Sequence, residues 1–373
     1  EIIASANPER SHAVVVSAIG DTTERLIEAS ELAARGEFEA ADAVVDGIAD
    51  RTTSMGLVAL GELSGRPGSR PAAVEITALV REHFAPLRKI LYGVSLLRER
   101  TAQTLDLILS FGERISAELL ATMLQTRGID AAFVDARRFI VTDHSFGDAR
   151  VEIEATRERL VEALPEFARQ LVVTTGFTGE TPDGRTTTLG RNGSDYTASL
   201  LAWGLGADEV VAWTESPGVM TADPSLVADA YPLSAMTYME ALELANFGAR
   251  MFHPSTMMPL IDAAIPMRIK STLHPNEGGT RIDADGEHDD SRATSVTSLE
   301  DLALLGVQWR SLTRPAQVGE RVLRALAEAS VTIWMENQTA HGQSITLVVP
   351  RAQVQQAVAS IERALEIELT RGE

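Results

Sequence analysis

The stretch QLVVTTGFTGETPDGRTTTLGRNGSDYTASLLA (170–202) runs through three kinds of local structure in succession. QLVVTTG (170–176) is a short β-branched run suited to a buried strand. FTGETPDGRTTTLG (177–190) sets Pro-Asp-Gly turn chemistry between threonine-rich arms and reads as a hairpin. A helix follows over 194–205, with Ser194 as its N-cap. Gly190 and Gly193, just before it, permit positive φ or the close approach of a ligand. The free amides of a helix start attract anions. Arg191 offers a two-pronged grip on a carboxylate or phosphate, and Asp195 either accepts hydrogen bonds from an ammonium group or holds a metal. Both charges together point to a zwitterionic ligand. The competing reading, a surface ion pair, is disfavoured by the flanking glycines.

On the N-terminal side, HAVVVSA (12–18) reads as another buried strand. Residues 23–100 are mostly helical in pattern, interrupted by a Gly/Pro/Ser-rich loop at 61–71. FGERISAELLATMLQTRG (111–128) is a helix with a glycine stop, DAAFVDA (130–136) a strand, and 152–169 a polar helix. On the C-terminal side come strand DEVVAWT (208–214), a helix over 234–247 and strand IPMRIKS (265–271). This alternation predicts an α/β sandwich around a mainly parallel sheet. Ligands of such sheets gather beyond the carboxyl ends of strands, where Ser17, Thr22, Thr23, Glu113 and Thr214 to Asp223 fall. Taken singly, Ser17 and Thr23 read as caps, and Glu113, placed at a helix start, as a partner of the helix dipole. With Arg191 and Asp195 they converge on one cleft.

The tract HPNEGGTRIDADGEHDDSRATS (274–295) is rich in Gly, Asp and Ser and reads as solvated, with a linker placed at 283–297. Beyond it, segments 302–309, 315–329, 331–336, 343–349 and 351–365 read as β-α-β-β-α, a ferredoxin-like module lacking its last strand, which EIEL (366–369) begins. The 373 residues suit about two domains. With 33 Lys plus Arg against 53 Asp plus Glu, the formal charge is −20, which repels polyphosphate backbones and argues against nucleic acid as a partner. The absence of cysteine excludes disulfides, thiolate nucleophiles and cysteine-bound zinc. Neither an apolar run of membrane-spanning length nor a signal-peptide order is evident, so a cytoplasmic protein without a membrane role is expected. P-loop, complete dinucleotide, G-x-S-x-G and H-E-x-x-H patterns are all missing, and no metal site is expected from protein ligands alone.

Five stretches, VVVSAIGDTTERL (14–26), FGERISAELL (111–120), GFTGETPDGRTTTLGRNGSDYTASLLA (176–202), WTESPGVMTADPS (213–225) and FGARMFHPSTMMPLIDAAIPMRIKST (247–272), together resemble aspartate kinases. The resemblance implies an amino-acid-kinase, carbamate-kinase-like αβα sandwich over 1–282 and a ferredoxin-like ACT regulatory module over 298–373, incomplete at its end. YGVSLL (92–97) and the C-terminal residues lean towards the kinase half of bifunctional aspartokinase–homoserine dehydrogenases.

The reaction so implied is attack of the β-carboxylate of L-aspartate on the γ-phosphorus of ATP, with Mg2+ bridging the phosphates. Carried over by motif, Arg191 grips the α-carboxylate and Asp195 the ammonium, with Asn192, Gly193 and Ser194 between them. Glu113, Ser17 and Thr23 complete the pocket. Thr214, Glu215, Met220, Asp223, Pro224 and Ser225 match the nucleotide loop, with Arg250 and Met251 beside it. Glu215, Ser225 and Arg250 depart from the family's usual Asp, Arg and Lys, and the serine removes a phosphate donor.

Family members also begin with a K-F-G-G strand, whose lysine contacts the transferring phosphate and which would precede Glu1. A chain complete without it is expected to be weak or silent, an amino-acid-sensing subunit being the alternative reading. A kinase acting on glutamate or N-acetylglutamate fits the motif spacings less well. In the ACT module, Asn337 and Gln338 fall in the strand-to-strand turn that binds an effector, threonine or lysine, and the module implies a homodimer.

Overall fold

The computed structural model describes residues 2–3, 13–61, 69–246, 254–286, 295–308, 315–338 and 344–366. The chain divides into two compact units, the larger ending at Ser295 and the smaller starting its continuous run at Val296.

The larger unit is built on three parallel strands in the order β1-β3-β2: β1 (Ala13–Val16), β2 (Ala131–Val134) and β3 (Leu171–Thr175). Alternate residues of a strand face opposite sides, and both sides here are covered by helices. Val173, Val14 and Phe133 meet Ala117, Ala121 and Leu124 of helix α4 (Ala102–Thr126). Val172, Val15 and Val134 meet Leu160 of α5 (Ile153–Arg169) and Leu200 and Leu201 of α6 (Gly193–Leu205). Outside α4 lies a helical layer of α1 (Thr22–Ala34), α2 (Phe38–Gly61) and α3 (Ser69–Leu97), whose core includes Leu26, Val45, Phe84 and Ile108. α3 starts at Ser69, so Pro71 lies in its first turn, where a missing N–H costs nothing. The rest of the expected loop, 62–68, lies outside the described residues.

The hairpin forms as β4 (Thr178–Glu180) against β5 (Thr186–Thr188), with all three threonines of β5 buried. A second sheet has the order β6-β8-β9-β7, from β6 (Val210–Thr214), β7 (Ala235–Thr237), β8 (Met267–Ser271) and β9 (Thr280–Asp283). Its pairs are parallel except β8 with β9. α7 (Tyr238–Asn246) and α8 (Pro254–Asp262) pack on it through Ala241, Met257 and Leu260.

Four expectations need correcting. The helix expected at 111–128 begins nine residues earlier, because Thr101 caps it by accepting the Thr104 N–H at 3.1 Å. Residues 235–237, expected as helix, form β7 and pair with β9. The supposedly solvated tract from 274 contains β9, with Thr280 and Ile282 fully buried. Its glycines and aspartates turn the chain into and out of a short strand whose apolar signal is a single isoleucine. The strand expected at 331–336 is shifted to β11, Met335–Gln338.

The smaller unit has β10 (Leu302–Gln308), α9 (Pro315–Glu328), β11, β12 (Ser344–Pro350) and α10 (Val354–Ala364), with antiparallel order β10-β12-β11. This is a split β-α-β arrangement, and its core is Val322, Leu326, Ile345, Leu347, Val349 and Ile361. The last strand expected from 366 lies outside the described residues beyond Glu366. No helix among the described residues is long and apolar enough to cross a membrane.

Ile282→Ala is expected to lower unfolding free energy by about 2–5 kcal/mol, the cost of emptying a core position. In a solvated linker the same change would cost less than about 0.5 kcal/mol, so a denaturant titration separates the two descriptions.

Candidate active site

The parallel order of β1, β3 and β2 brings their carboxyl ends, Ser17, Gly176 and Asp135, to one side of the sheet. From β1 the chain passes through Ala18 and Gly20 into α1, where Thr22 donates its hydroxyl to Ile19 O at 2.5 Å. Asp21 stands at the N-cap position of α1, but its side chain makes no cap hydrogen bond. It is held instead by Arg25 at 3.1 Å and Arg51 at 2.6 Å.

From β3 the chain reaches Gly176, where a Cβ would lie 2.4 Å from Ser194 Cβ and 2.6 Å from Ser194 Cα. Only glycine lets this strand end touch the start of α6. Phe177 then takes a left-handed backbone, φ 65°, and turns the chain into the hairpin. The hairpin returns through Leu189, whose N–H donates to Phe177 O at 2.8 Å. Asn192, also left-handed at φ 58°, is the N-cap residue of α6 without a side-chain cap bond. This replaces the expected Ser194 cap: the helix starts at Gly193, and Ser194 lies in its first turn.

These segments enclose a cavity of about 500 Å³ lined by Ser17, Thr23, Glu113, Arg191, Asn192, Gly193, Ser194 and Asp195, the eight residues the sequence grouped around an amino acid. Ala18, Gly20, Glu24, Phe177 and Gly190 complete the wall. Phe177 was missed because its left-handed backbone, set by the turn into the hairpin, has no composition signal. Arg191 and Glu24 are exposed, whereas Glu113 is 3% exposed.

Glu113 does not lie at a helix start; it is in the middle of α4, so the helix dipole does not account for it. Its Oε1 accepts the Ala18 N–H at 3.3 Å, while its Oε2 is buried without a partner. Burial pushes its pKa up to about 7. Asp195 is also raised by burial, against one hydrogen bond from Asn192 Nδ2 at 3.3 Å. An ammonium group entering between the two would relieve both desolvated carboxylates. Among the described residues no three His, Asp or Glu side chains converge in a metal-ligand arrangement.

The expected nucleotide residues do not line this cavity. Thr214 ends β6, with its carbonyl accepting the Thr272 N–H at 2.7 Å. Asp223 Oδ1 accepts from Ser225 N–H at 2.8 Å and from Ser225 Oγ at 2.7 Å, so the Ser225 hydroxyl holds a turn. Glu215 and Pro224 belong to the same loop, and Met220 bridges to Pro232. Arg250 and Met251 lie outside the described residues. Asn337 and Gln338 are on strand β11, paired with Thr346 and Ile345, and not in the expected turn; residues 339–343, where a turn would come, are outside the described residues.

Residues 1–271 match the model of the amino acid kinase family, and the chain belongs to that family. It is 34% identical over 258 residues to a bifunctional aspartokinase/homoserine dehydrogenase of Haemophilus influenzae, covering 69% of this chain and 32% of that protein. It is 38% identical over 202 residues to the lysine-sensitive aspartokinase 3 of Escherichia coli, covering 52% and 45%. Aspartokinase III of E. coli, solved with lysine and aspartate in its T-state, is similar with a TM-score of 0.71 at 26% identity, covering 96% of this chain and 79% of that one. The chain therefore spans about a third to a half of the length of these curated relatives.

The raised pKa of Glu113 makes a signed prediction. The folded state holds the proton more tightly than the unfolded state, whose carboxyl titrates near 4.5. The resulting stability is full below that value and lost as pH rises through about 7. Glu113→Gln is expected to match the unsubstituted chain at low pH and exceed it at pH 8 by about 3 kcal/mol, read as the difference between their denaturation curves.

Proposed function

We propose that the chain carries aspartate kinase activity, transferring the γ-phosphoryl group of MgATP to the β-carboxylate of L-aspartate to give 4-phospho-L-aspartate. The observation that carries this reading is the cavity itself, which sets one exposed guanidinium, Arg191, against the half-buried carboxylate of Asp195 and the buried one of Glu113. That set complements one amino acid whose carboxylate and ammonium must be told apart. The relatives' names support the same substrate.

Arg191 binds the α-carboxylate with its planar fork, and Asp195 accepts hydrogen bonds from the ammonium. The first turns of α1 and α6 carry no side-chain caps; Thr22 and Gly193 donate their N–H groups to Ile19 O and Gly190 O, and the next amides, of Thr23 and Glu24 and of Ser194 and Asp195, face the substrate's second carboxylate in this proposal. Held at both ends, aspartate directs a β-carboxylate oxygen at the γ-phosphorus. The new P–O bond forms as the bond to the β,γ-bridging oxygen breaks, and ADP leaves with the electron pair. No proton moves, so the chain's contribution is positioning and charge neutralisation.

The nucleotide substrate is MgATP, whose magnesium would neutralise phosphate charge. By motif, the loop Thr214, Glu215, Met220, Asp223, Pro224 and Ser225 receives ATP, together with Arg250 and Met251. Arg250 supplies the cation, while Ser225 keeps the loop in shape through Asp223.

The smaller unit acts as an ACT module that pairs two chains into a homodimer and takes a feedback amino acid, threonine or lysine, near Asn337 and Gln338. Its β-α-β-β-α order supports this role.

The test is hydroxylamine trapping of the acyl phosphate together with calorimetric titration of aspartate. Hydroxamate formation is expected to require both aspartate and MgATP. Arg191→Ala and Asp195→Asn are each expected to weaken aspartate affinity about ten- to a hundredfold, or about 1.4–2.7 kcal/mol, with nucleotide affinity unchanged. A chain that neither binds aspartate nor forms hydroxamate overturns the proposal.

A further inference from the structure

Besides the β1–α1 segment, two walls of the cavity come from segments far apart in sequence. One is α4, which carries Glu113; the other is the run from the end of β5 to α6, which carries Arg191 and Asp195. The distance between the walls decides whether one small ligand can reach both, so some interaction has to tie them together.

Asp106 meets that requirement. It lies two helical turns before Glu113 on α4, on the same face, and is 1% exposed. Its Oδ2 accepts the Gly147 N–H at 2.9 Å and the Thr188 N–H at 3.0 Å. Its Oδ1 accepts the Thr188 hydroxyl at 2.8 Å. Among the described residues no cation pairs with it, and burial raises its pKa against the pull of these three bonds. An ionised carboxylate with three donors and no counter-charge is a costly anchor that an uncharged core would avoid.

What Asp106 anchors leads directly to the ligand wall. Thr188 O accepts the Ala149 N–H at 2.9 Å, and Leu189 is tied to Phe177 O. Gly190, at φ 70°, backs onto Asp148, whose Oδ1 is 2.3 Å from where a Cβ would stand. Loop 147–149 and residues 188–190 thus form one packed unit, fixed to α4 at Asp106 and ending where Arg191 begins.

We propose that Asp106 is a positioning residue for the amino-acid cavity: through Thr188 and Gly147 it sets the separation between the Glu113 wall and the Arg191–Asp195 wall. It touches no ligand itself. The inference rests on the reading of the cavity as an aspartate site and adds a determinant of substrate affinity outside it.

Two variants separate positioning from charge. Asp106→Asn keeps one acceptor oxygen for the two backbone N–H groups, and its NH2 can donate to the Thr188 hydroxyl, which accepts as readily as it donates. Asp106→Ala removes all three bonds.

The measurements are calorimetric dissociation constants for L-aspartate and for MgADP, and amide hydrogen exchange over residues 188–195. Asp106→Ala is expected to weaken aspartate binding at least tenfold, leave MgADP binding within twofold and speed exchange over 188–195. Asp106→Asn is expected to stay within about threefold of the unsubstituted chain in all three. A folded Asp106→Ala chain with unchanged aspartate affinity and exchange overturns the inference, as does an Asp106→Asn chain as impaired as Asp106→Ala. Should Asp106→Ala fail to fold, Thr188→Val decides. It removes only the hydroxyl bond, with a several-fold loss of aspartate affinity expected and an unchanged affinity counting against the inference. If the unsubstituted chain binds no aspartate at all, the aspartate reading itself fails, and the exchange experiment still judges the anchor.

Discussion

Everything around the cavity depends on how closely the end of β3 approaches the beginning of α6. At Gly176 the strand backbone lies against Ser194 with no space for a side chain, so the helix start is delivered to the carboxyl edge of the parallel sheet. Two left-handed residues make this possible from either direction, Phe177 as the chain leaves the strand and Asn192 as it enters the helix. The hairpin between them is a detour that returns the chain almost to where it left. Its buried threonines bond to the elements around it, Thr178 to Thr175 at 3.1 Å, Thr187 to Thr142 at 2.7 Å and Thr188 to Asp106 at 2.8 Å, so the detour is held without a large apolar core.

The electrostatics of the cavity follow from this packing. Glu113 and Asp195 are desolvated by burial, and the only arginine on the wall among the described residues, Arg191, is at the exposed rim. The result is a rim that carries the Arg191 cation beside the exposed Glu24, over an acidic interior, in a chain whose overall charge is −20. A zwitterion entering with its ammonium foremost meets complementary charge at each depth, whereas a simple anion meets complementary charge only at the rim and the helix starts.

Much of this was legible in the sequence. The α/β alternation, the hairpin and the grouping of Ser17, Thr23, Glu113 and Arg191 to Asp195 all come from strand ends, turn residues and glycines, which are local signals. What escaped reading was decided by contacts between distant residues. Glu113 looked like a helix-start residue because FGERISAELL opens an apolar repeat, yet the Thr101 cap sets the true beginning. β9 was hidden among Gly and Asp because its stability comes from pairing with β7 and β8, not from its own composition. Asp106 gave no signal at all, since it falls between the helical stretches read at 23–100 and 111–128, where one aspartate looks like any solvated residue until the backbone that folds over it is known.

The left-handed Asn192 has a chemical consequence of its own. Asn192–Gly193 is the single Asn-Gly step in the sequence, and such steps age by attack of the glycine nitrogen on the asparagine amide, leaving aspartate or its β-linked isomer. Here the attacking nitrogen is the first of a helix, its N–H donates to Gly190 O at 3.2 Å and Gly193 is buried. Reaching the cyclic intermediate would require the helix start to unwind. The folded chain therefore protects this step and the unfolded chain exposes it, so each excursion out of the native state carries a risk of rewriting the wall that binds the ligand. Over a protein's lifetime, fold stability and the chemical durability of the site are one property.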